Sequence, residues 1–316
     1  MTIEKQEWTW PDFREPELIN RLLLDDDGFL GLWLAMAASM PPRAFDEHSF
    51  KVGSGYPWAR PGGSFVLDEG DGRLLSELAP DRQAEIIEEF SGTRSGRTPM
   101  LAIGSNASPE GLWRKFAHFE NAADRTLLAI TGRLCGFDVG ASAELAFYGA
   151  LPATIFASPG TEASVTALWL THRQLTQLAW AEVPYRLGCL EAEFRFEETV
   201  DTGGQNSFDR SLVFVNRFGT FSPEGAPLAL EAIPATGRRT VAADQVELLT
   251  MVARMTFGPE SGAMDLVRKA FEEPGTTIPA VTEVLSRNSI PFESGRWTPF
   301  PTPEKTTGSD RAGLHD

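Results

Sequence analysis

The stretch MLAIGSNASPEGLWRKF, residues 100–116, decides how the rest of the chain is read. An apolar run, Met100 to Ile103, stops at Gly104, Ser105 and Asn106, and SPEGLWRKF then has the marks of a helix start. Ser108 suits the N-cap, Pro109 the first helical position and Glu110 the first turn, while Leu112, Phe116 and Phe119 recur on one face. A strand that runs through such a loop into a helix leaves backbone N–H groups open at the helix entry. Gly104 lets another backbone or a ligand approach them, so the loop could hold a carboxylate or a developing oxyanion. The same residues also fit an ordinary strand-to-helix turn, in which glycine supplies a special φ and asparagine caps.

Working outward, residues from Pro99 to about Phe196 alternate short apolar runs with few helices. TLLAITGRLCGF, AELAFY, PATIFAS, SVTALWL and GCLEAEFRF read as strands, and helices start only at Pro109 and Thr171. This pattern predicts an α+β fold with a mixed barrel or sheet, not a parallel doubly wound one. After a polar loop, DTGGQNSFDR, come SLVFVN and APLALEAI, then three helical stretches: ADQVELLTMVARM, SGAMDLVRKAFE and IPAVTEVLSRNS. Upstream, EPELINRLLL, GFLGLWLAMAASM and LAPDRQAEIIEEF carry helical spacing, and GYPWARPGGS is loop material. The polar joint SGTRSGRTP marks a boundary. Residues 1–98 are expected to form a helical N-terminal extension and 99–300 the α/β domain, with an insertion around 197–240. Residues 301–316 have the composition of a disordered tail.

Bulk charge narrows the function. Asp and Glu number 44 against 28 Lys and Arg, for a formal net charge of -16, which argues against nucleic acid or an anionic membrane as partner. Two cysteines, Cys135 and Cys189, do not make a disulfide framework. The four histidines, His48, His118, His172 and His315, have no partner at ligand spacing, so no metal site is expected. No P-loop, G-x-G-x-x-G or G-x-S-x-G motif stands out, so no cofactor is expected either. The run GFLGLWLAMAASM is too short to span a membrane, and the first residues lack the basic start and apolar core of a signal peptide. A cytoplasmic protein is the expectation.

The second informative stretch is LWLTHRQLTQLAWAEVPYRL, residues 168–187. Thr171 and Gln174 form a capping box, and Pro184 turns Val183 away from helical geometry, so the helix should end near Glu182. Leu175, Leu178 and Glu182 lie on one stripe, which puts a carboxyl where the apolar face calls for another leucine. Partial desolvation and the negative end of the helix dipole both favour its protonated form, a setting suited to general acid–base work. The other reading frays the helix by one residue and lets Glu182 reach solvent or pair with Arg186.

Taken together and in this order, IGSNASPEGLWRKF and YGALPATIFASPGTEASVTALWLTHRQLTQLAWAE resemble the γ-glutamylcyclotransferase-like superfamily. Its pattern is a Y-G-S-N loop and helix, an Ala-Thr strand, a Pro-Gly turn, a strand, and a helix ending in glutamate with an aromatic residue close behind. The resemblance spans roughly Pro99 to Phe196, about a third of the chain. It implies a small mixed α/β barrel with a cavity, in which Ile103, Gly104, Ser105 and Asn106 bind a γ-glutamyl or 5-oxoproline moiety and Glu182 is catalytic. Tyr148 and Tyr185 fall inside the matched region as candidate pocket residues. The implied reaction is attack of a γ-glutamyl α-amine on its own γ-amide, releasing 5-oxoproline and an amine or amino acid without a cofactor. Three departures stand out: Ile103 replaces the motif's tyrosine, the segment after Arg186 up to about Thr240 does not align, and about 98 residues precede the motif. Two other readings use the same residues: a non-catalytic small-molecule-binding or interaction module, and an amide hydrolase or other acyl-transfer enzyme. No feature of the sequence indicates an oligomeric state.

Overall fold

The computed structural model describes residues 10–92, 95–197 and 206–300. The expected tail, 301–316, lies outside the described residues. Ten α-helices occur among the described residues: α1 (Pro16–Leu22), α2 (Asp26–Ala38), α3 (Glu47–Ser54), α4 (Pro80–Ser91), α5 (Pro109–Phe116), α6 (Ala122–Arg125), α7 (His172–Ala181), α8 (Gln245–Phe257), α9 (Ala263–Glu272) and α10 (Pro274–Ser286). The main strands are β1 (Phe65–Asp68), β2 (Asp71–Leu74), β3 (Thr98–Ala102), β4 (Leu127–Ala141), β5 (Ala153–Leu170), β6 (Tyr185–Leu190), β7 (Phe194–Phe196), β8 (Ser207–Phe208) and β9 (Ser211–Asn216).

These strands build one mixed sheet. From one edge the order is Ala242–Ala243, Ala229–Leu230, β4, β5, β3, β9, β6 and Trp297–Pro299. β9 runs parallel to β3, while β5 pairs antiparallel with both β3 and β4. The expected α+β class holds, but the expected barrel does not: the sheet stays open. Side-chain alternation gives the reason. Along β3, Leu101 belongs to one core and Met100 and Ala102 to another, and β5 alternates likewise, with Ala167 and Trp169 opposite Leu168 and Leu170. Helices α2, α4, α8, α9 and α10 cover the first face, and α1, α5 and α7 the second. A sheet buried on both faces by helices has no inside to close around.

The long pair β4 and β5, 15 and 18 residues, carries several short partners along its length. PATIFAS and SVTALWL, read above as separate strands, are one continuous β5 with the Pro-Gly stretch inside it. The pair bends where the register shifts between Cys135 and Phe137, with Gly136 at φ 82° and Gly160 at φ 85° supplying conformations that L side chains rarely adopt. AELAFY, read as a strand, is a loop closed by the Ala146 N–H donating to Ala150 O at 2.9 Å. Upstream, the residues read as helical also include a hairpin, β1–β2, whose β1 pairs with β4. Its turn residues Glu69 and Gly70 both have positive φ, as a tight two-residue hairpin turn requires. Among the described residues, no helix is long and apolar enough to cross a membrane.

Candidate functional site

Beyond β3 the chain passes Gly104, makes a tight turn through Ser105–Ala107 and enters α5 at Pro109. The turn closes on itself, with the Ala107 N–H donating to Gly104 O and the Ser108 N–H to Ser105 O, both at 3.0 Å. Ser108 holds the N-cap position, yet its side chain makes no capping bond, unlike the expectation. Gly104 sits at φ -130°, ψ -137°, so no positive φ demands glycine there. Close approach does: a Cβ at this position would lie 2.1 Å from Tyr56 Oη and 3.1 Å from Ala153 Cβ.

Tyr56 comes from the loop after α3, and sequence reasoning did not connect it to the site. Its hydroxyl oxygen accepts from the Ala153 N–H at 2.9 Å, with the Ser105 N–H also directed at it. Tyr185, at the start of β6, donates to the Ala153 carbonyl at 2.8 Å, so two tyrosines hold the two ends of one peptide position. Burial pushes both phenols well above their ordinary range. Arg60, also from that upstream loop, donates to Ile103 O and Gly104 O at 3.1 Å each. Burial lowers its pKa to about 10, with Tyr56 acting in the opposite direction.

Helix α7 begins with the expected capping box, Thr171 with Gln174, and Glu182 is its C-cap. The carboxylate is partly withdrawn from solvent: its Oε1 accepts from Asn106 Nδ2 at 2.9 Å and pairs with Lys115 Nζ at 3.0 Å. Lys115 Nζ also donates to Asn106 Oδ1 at 2.6 Å, closing a triangle. The Lys115 and Glu182 side chains are 22% and 17% exposed, so water screens this pair only in part. Lys115 was missed because residues on α5 and at the end of α7 have no sequence relation that marks them as neighbours. Arg114, its neighbour in the chain, stacks over Trp58 instead, 4.4 Å from the ring centroid.

Two adjoining hollows meet at this triangle and share Tyr56, Ser105, Glu182 and Tyr185 as walls. The inner one, about 30 Å³, is further lined by Ile103, Gly104, Asn106 and Ala153. The outer one, about 110 Å³, is further lined by Trp33, Glu144, Phe147 and Tyr148. The structure thus brings Ile103, Gly104, Ser105, Asn106, Tyr148, Glu182 and Tyr185 to one place. Tyr148 is half-buried and its ring stacks on Tyr56, centroids 6.0 Å apart. A larger groove, about 460 Å³ along α8, is lined by Val246, Glu247, Thr250, Met251, Arg254 and Met255, and none of the residues of the two hollows lies in it.

Glu144 was also missed. It is 2% exposed, and burial pushes its carboxyl up to about 8, with the Asn216 amide opposing that rise and the Glu182 charge adding to it. The signal was available in the sequence as a lone glutamate amid small apolar residues, SAELA, which the strand reading absorbed. An acidic cluster, Glu231, Asp244 and Glu247, is exposed, and Asp244 and Glu247 already form the capping box of α8.

No protein-family model matches this sequence, and no curated protein does. One solved structure, described as gamma-glutamyl cyclotransferase, is similar over 38% of this chain and 66% of its own, at 19% identity and a TM-score of 0.24. This chain therefore covers just under two thirds of that structure.

Proposed function

We propose that the hollows at Glu182 bind a γ-glutamyl compound and close it to 5-oxoproline, releasing an amine or amino acid. The observation that carries this reading is the position of the Glu182 carboxylate, which is bonded to Asn106 of the Gly104–Asn106 loop and borders both hollows. Glu182 is the base that takes a proton from the substrate's α-ammonium. The freed amine attacks the γ-carbonyl of the same molecule. Because nucleophile and carbonyl are already joined, holding the folded pose accounts for much of the barrier reduction, up to roughly 7–11 kcal/mol in well-oriented cases.

The developing oxyanion needs donors, and Tyr56 is suited to supply one. Its oxygen already accepts from the Ala153 N–H, which polarises the phenol and leaves its own proton to be donated into the cavity that Tyr56 lines. It provides the hydroxyl that Ile103 lacks. A single oxyanion donor is typically worth about 10²- to 10³-fold in rate. Lys115, bonded to both Glu182 and Asn106, holds the base and the loop in register.

The test is release of 5-oxoproline from γ-glutamyl amino acids and γ-glutamyl amines by the wild type and by Glu182→Gln. Product from the wild type that is lost in the variant supports the reading, and no product from any substrate overturns it. A second reading has its own observation: the Lys115–Asn106–Glu182 triangle ties up the base, as a binding module without turnover would allow. Calorimetric binding of 5-oxoproline with no turnover of any γ-glutamyl amide would favour that reading.

A further inference from the structure

The cyclotransferase reading, on which this inference rests, leaves one carboxyl in the same cavity without a role. Glu144 sits on the loop between β4 and β5, and this loop is pinned on either side of it. The Ala143 N–H donates to Gly219 O at 2.9 Å, and the Leu145 N–H to Thr282 Oγ1 of α10 at 3.1 Å. The glutamate is therefore held in the wall of the outer hollow, the same space that Glu182 borders at the end of α7.

The surroundings of the two carboxyls differ in kind. Glu182 meets a cation, Lys115, and a neutral donor, Asn106. Glu144 makes no ion pair among the described residues, and its polar neighbour is the Asn216 amide. That amide is itself buried; its Oδ1 accepts from the Phe218 N–H at 2.8 Å, and its Nδ2 has no hydrogen-bond partner among the described residues. The remaining titratable groups facing the hollow are the phenols of Tyr56, Tyr148 and Tyr185, and Glu182 itself. Arg60 is directed away to Ile103 O and Gly104 O, and Arg114 lies over Trp58. A buried carboxyl with no cation beside it keeps its proton, whereas one paired with lysine gives its proton up. Two carboxyls set apart in this way in one cavity divide into an acid and a base.

We propose that Glu144 is the general acid that protonates the leaving nitrogen, while Glu182 is the base. In the first step the α-ammonium gives one proton to Glu182, and the nitrogen lone pair forms the bond to the γ-carbon. The carbonyl π pair moves onto oxygen. In the second step that pair re-forms the C=O bond, and the bond from the γ-carbon to the leaving nitrogen breaks with its electrons on nitrogen. The leaving nitrogen takes the Glu144 proton. The ring nitrogen, now carrying two hydrogens, returns one to Glu144, and Glu182 passes its proton to the departing amine, so both carboxyls are restored. The products are 5-oxoproline and a protonated amine.

The leaving group tests this division of labour. An alkylamine leaves as a strongly basic nitrogen and needs the acid, whereas p-nitroaniline leaves as a weakly basic one and needs it far less. The experiment compares kcat/KM for γ-glutamyl-n-butylamide and γ-glutamyl-p-nitroanilide in the wild type and in Glu144→Gln. The ratio of the two substrates within one preparation does not depend on how much of that preparation is folded. The ratio of alkylamide to anilide is expected to fall by about 100-fold or more in Glu144→Gln, in line with typical general acid catalysis. Equal losses on both substrates, or no loss on either, would overturn the acid role while leaving the cyclotransferase reading standing. Wild-type protein that forms 5-oxoproline from neither substrate would overturn that reading and the role of Glu144 together.

Discussion

Asn106 Nδ2 lies 2.9 Å from Glu182 Oε1, although the two residues are 76 positions apart in the chain. One stands in the turn after β3 and the other at the C-cap of α7. Antiparallel pairing of β3 with the end of β5 brings the two together, because α7 follows directly on β5. Lys115 from α5 completes the arrangement, and every functional expectation below depends on it.

Glu182→Gln keeps the size of the side chain and an oxygen for Asn106, but it cannot take a proton. Release of 5-oxoproline is expected to fall by about 10²- to 10⁴-fold. Circular dichroism should show an unchanged fold, and an unchanged rate in folded protein would remove Glu182 from the chemistry.

Gly104→Ala places a methyl group against the Tyr56 hydroxyl and the Ala153 side chain. The expected cost is about 1–3 kcal/mol in urea unfolding. Adding Tyr56→Phe removes the nearest oxygen, so the double variant should recover part of that loss, with a coupling of at least about 0.5 kcal/mol. Strictly additive costs would mean that Gly104 is needed for a reason other than this contact.

Burial raises the Glu144 carboxyl from 4.5 to about 8 in the folded protein. Between these values the folded state keeps a proton that the unfolded state has released. Stability therefore falls as pH rises through that window, by up to about 1.4 kcal/mol per pH unit, and levels off above it. Glu144→Gln carries no such proton, so its melting temperature relative to the wild type should climb between about pH 5 and about pH 8. A difference that stays flat with pH would show that Glu144 does not titrate in this range.

Thr171→Ala removes the N-cap of α7 and the hydrogen bond from Thr171 Oγ1 to Asp124 Oδ1, 2.7 Å, at a buried aspartate. A loss of about 1–2 kcal/mol is expected in urea unfolding. Since α7 carries Glu182 at its other end, kcat per folded molecule should change little if the helix re-forms intact.

The sequence-based reading was most accurate where the signal was local. Thr171 and Gln174 mark the start of α7 and Pro184 its end, and the structure places Glu182 at the C-cap. SLVFVN coincides with β9, Ser211–Asn216, residue for residue. The misreadings arose where the deciding partner lay far along the chain. AELAFY has the composition of a strand, yet its backbone groups bond to Gly219, Ala150 and Thr282 rather than to a neighbouring strand. The barrel failed because nothing in the order of strands says whether helices will cover one face or both.

The sequence by itself determined most of the helices, though not the short α3 and α6, as well as the turn at Gly104–Asn106 and a glutamate at the end of an apolar helix face. These follow from periodicity, capping and proline sterics, which act between residues a few positions apart. Only the tertiary structure decided that Tyr56 reaches Ala153 across 97 positions, that Lys115 reaches Glu182 across 67, and that Glu144 shares their cavity. Those contacts depend on which strands pair and which face each helix covers. Tyrosine, lysine and glutamate at such positions read as ordinary surface or core residues until the sheet brings their neighbours beside them, because desolvation and charge pairing act through space, not along the chain.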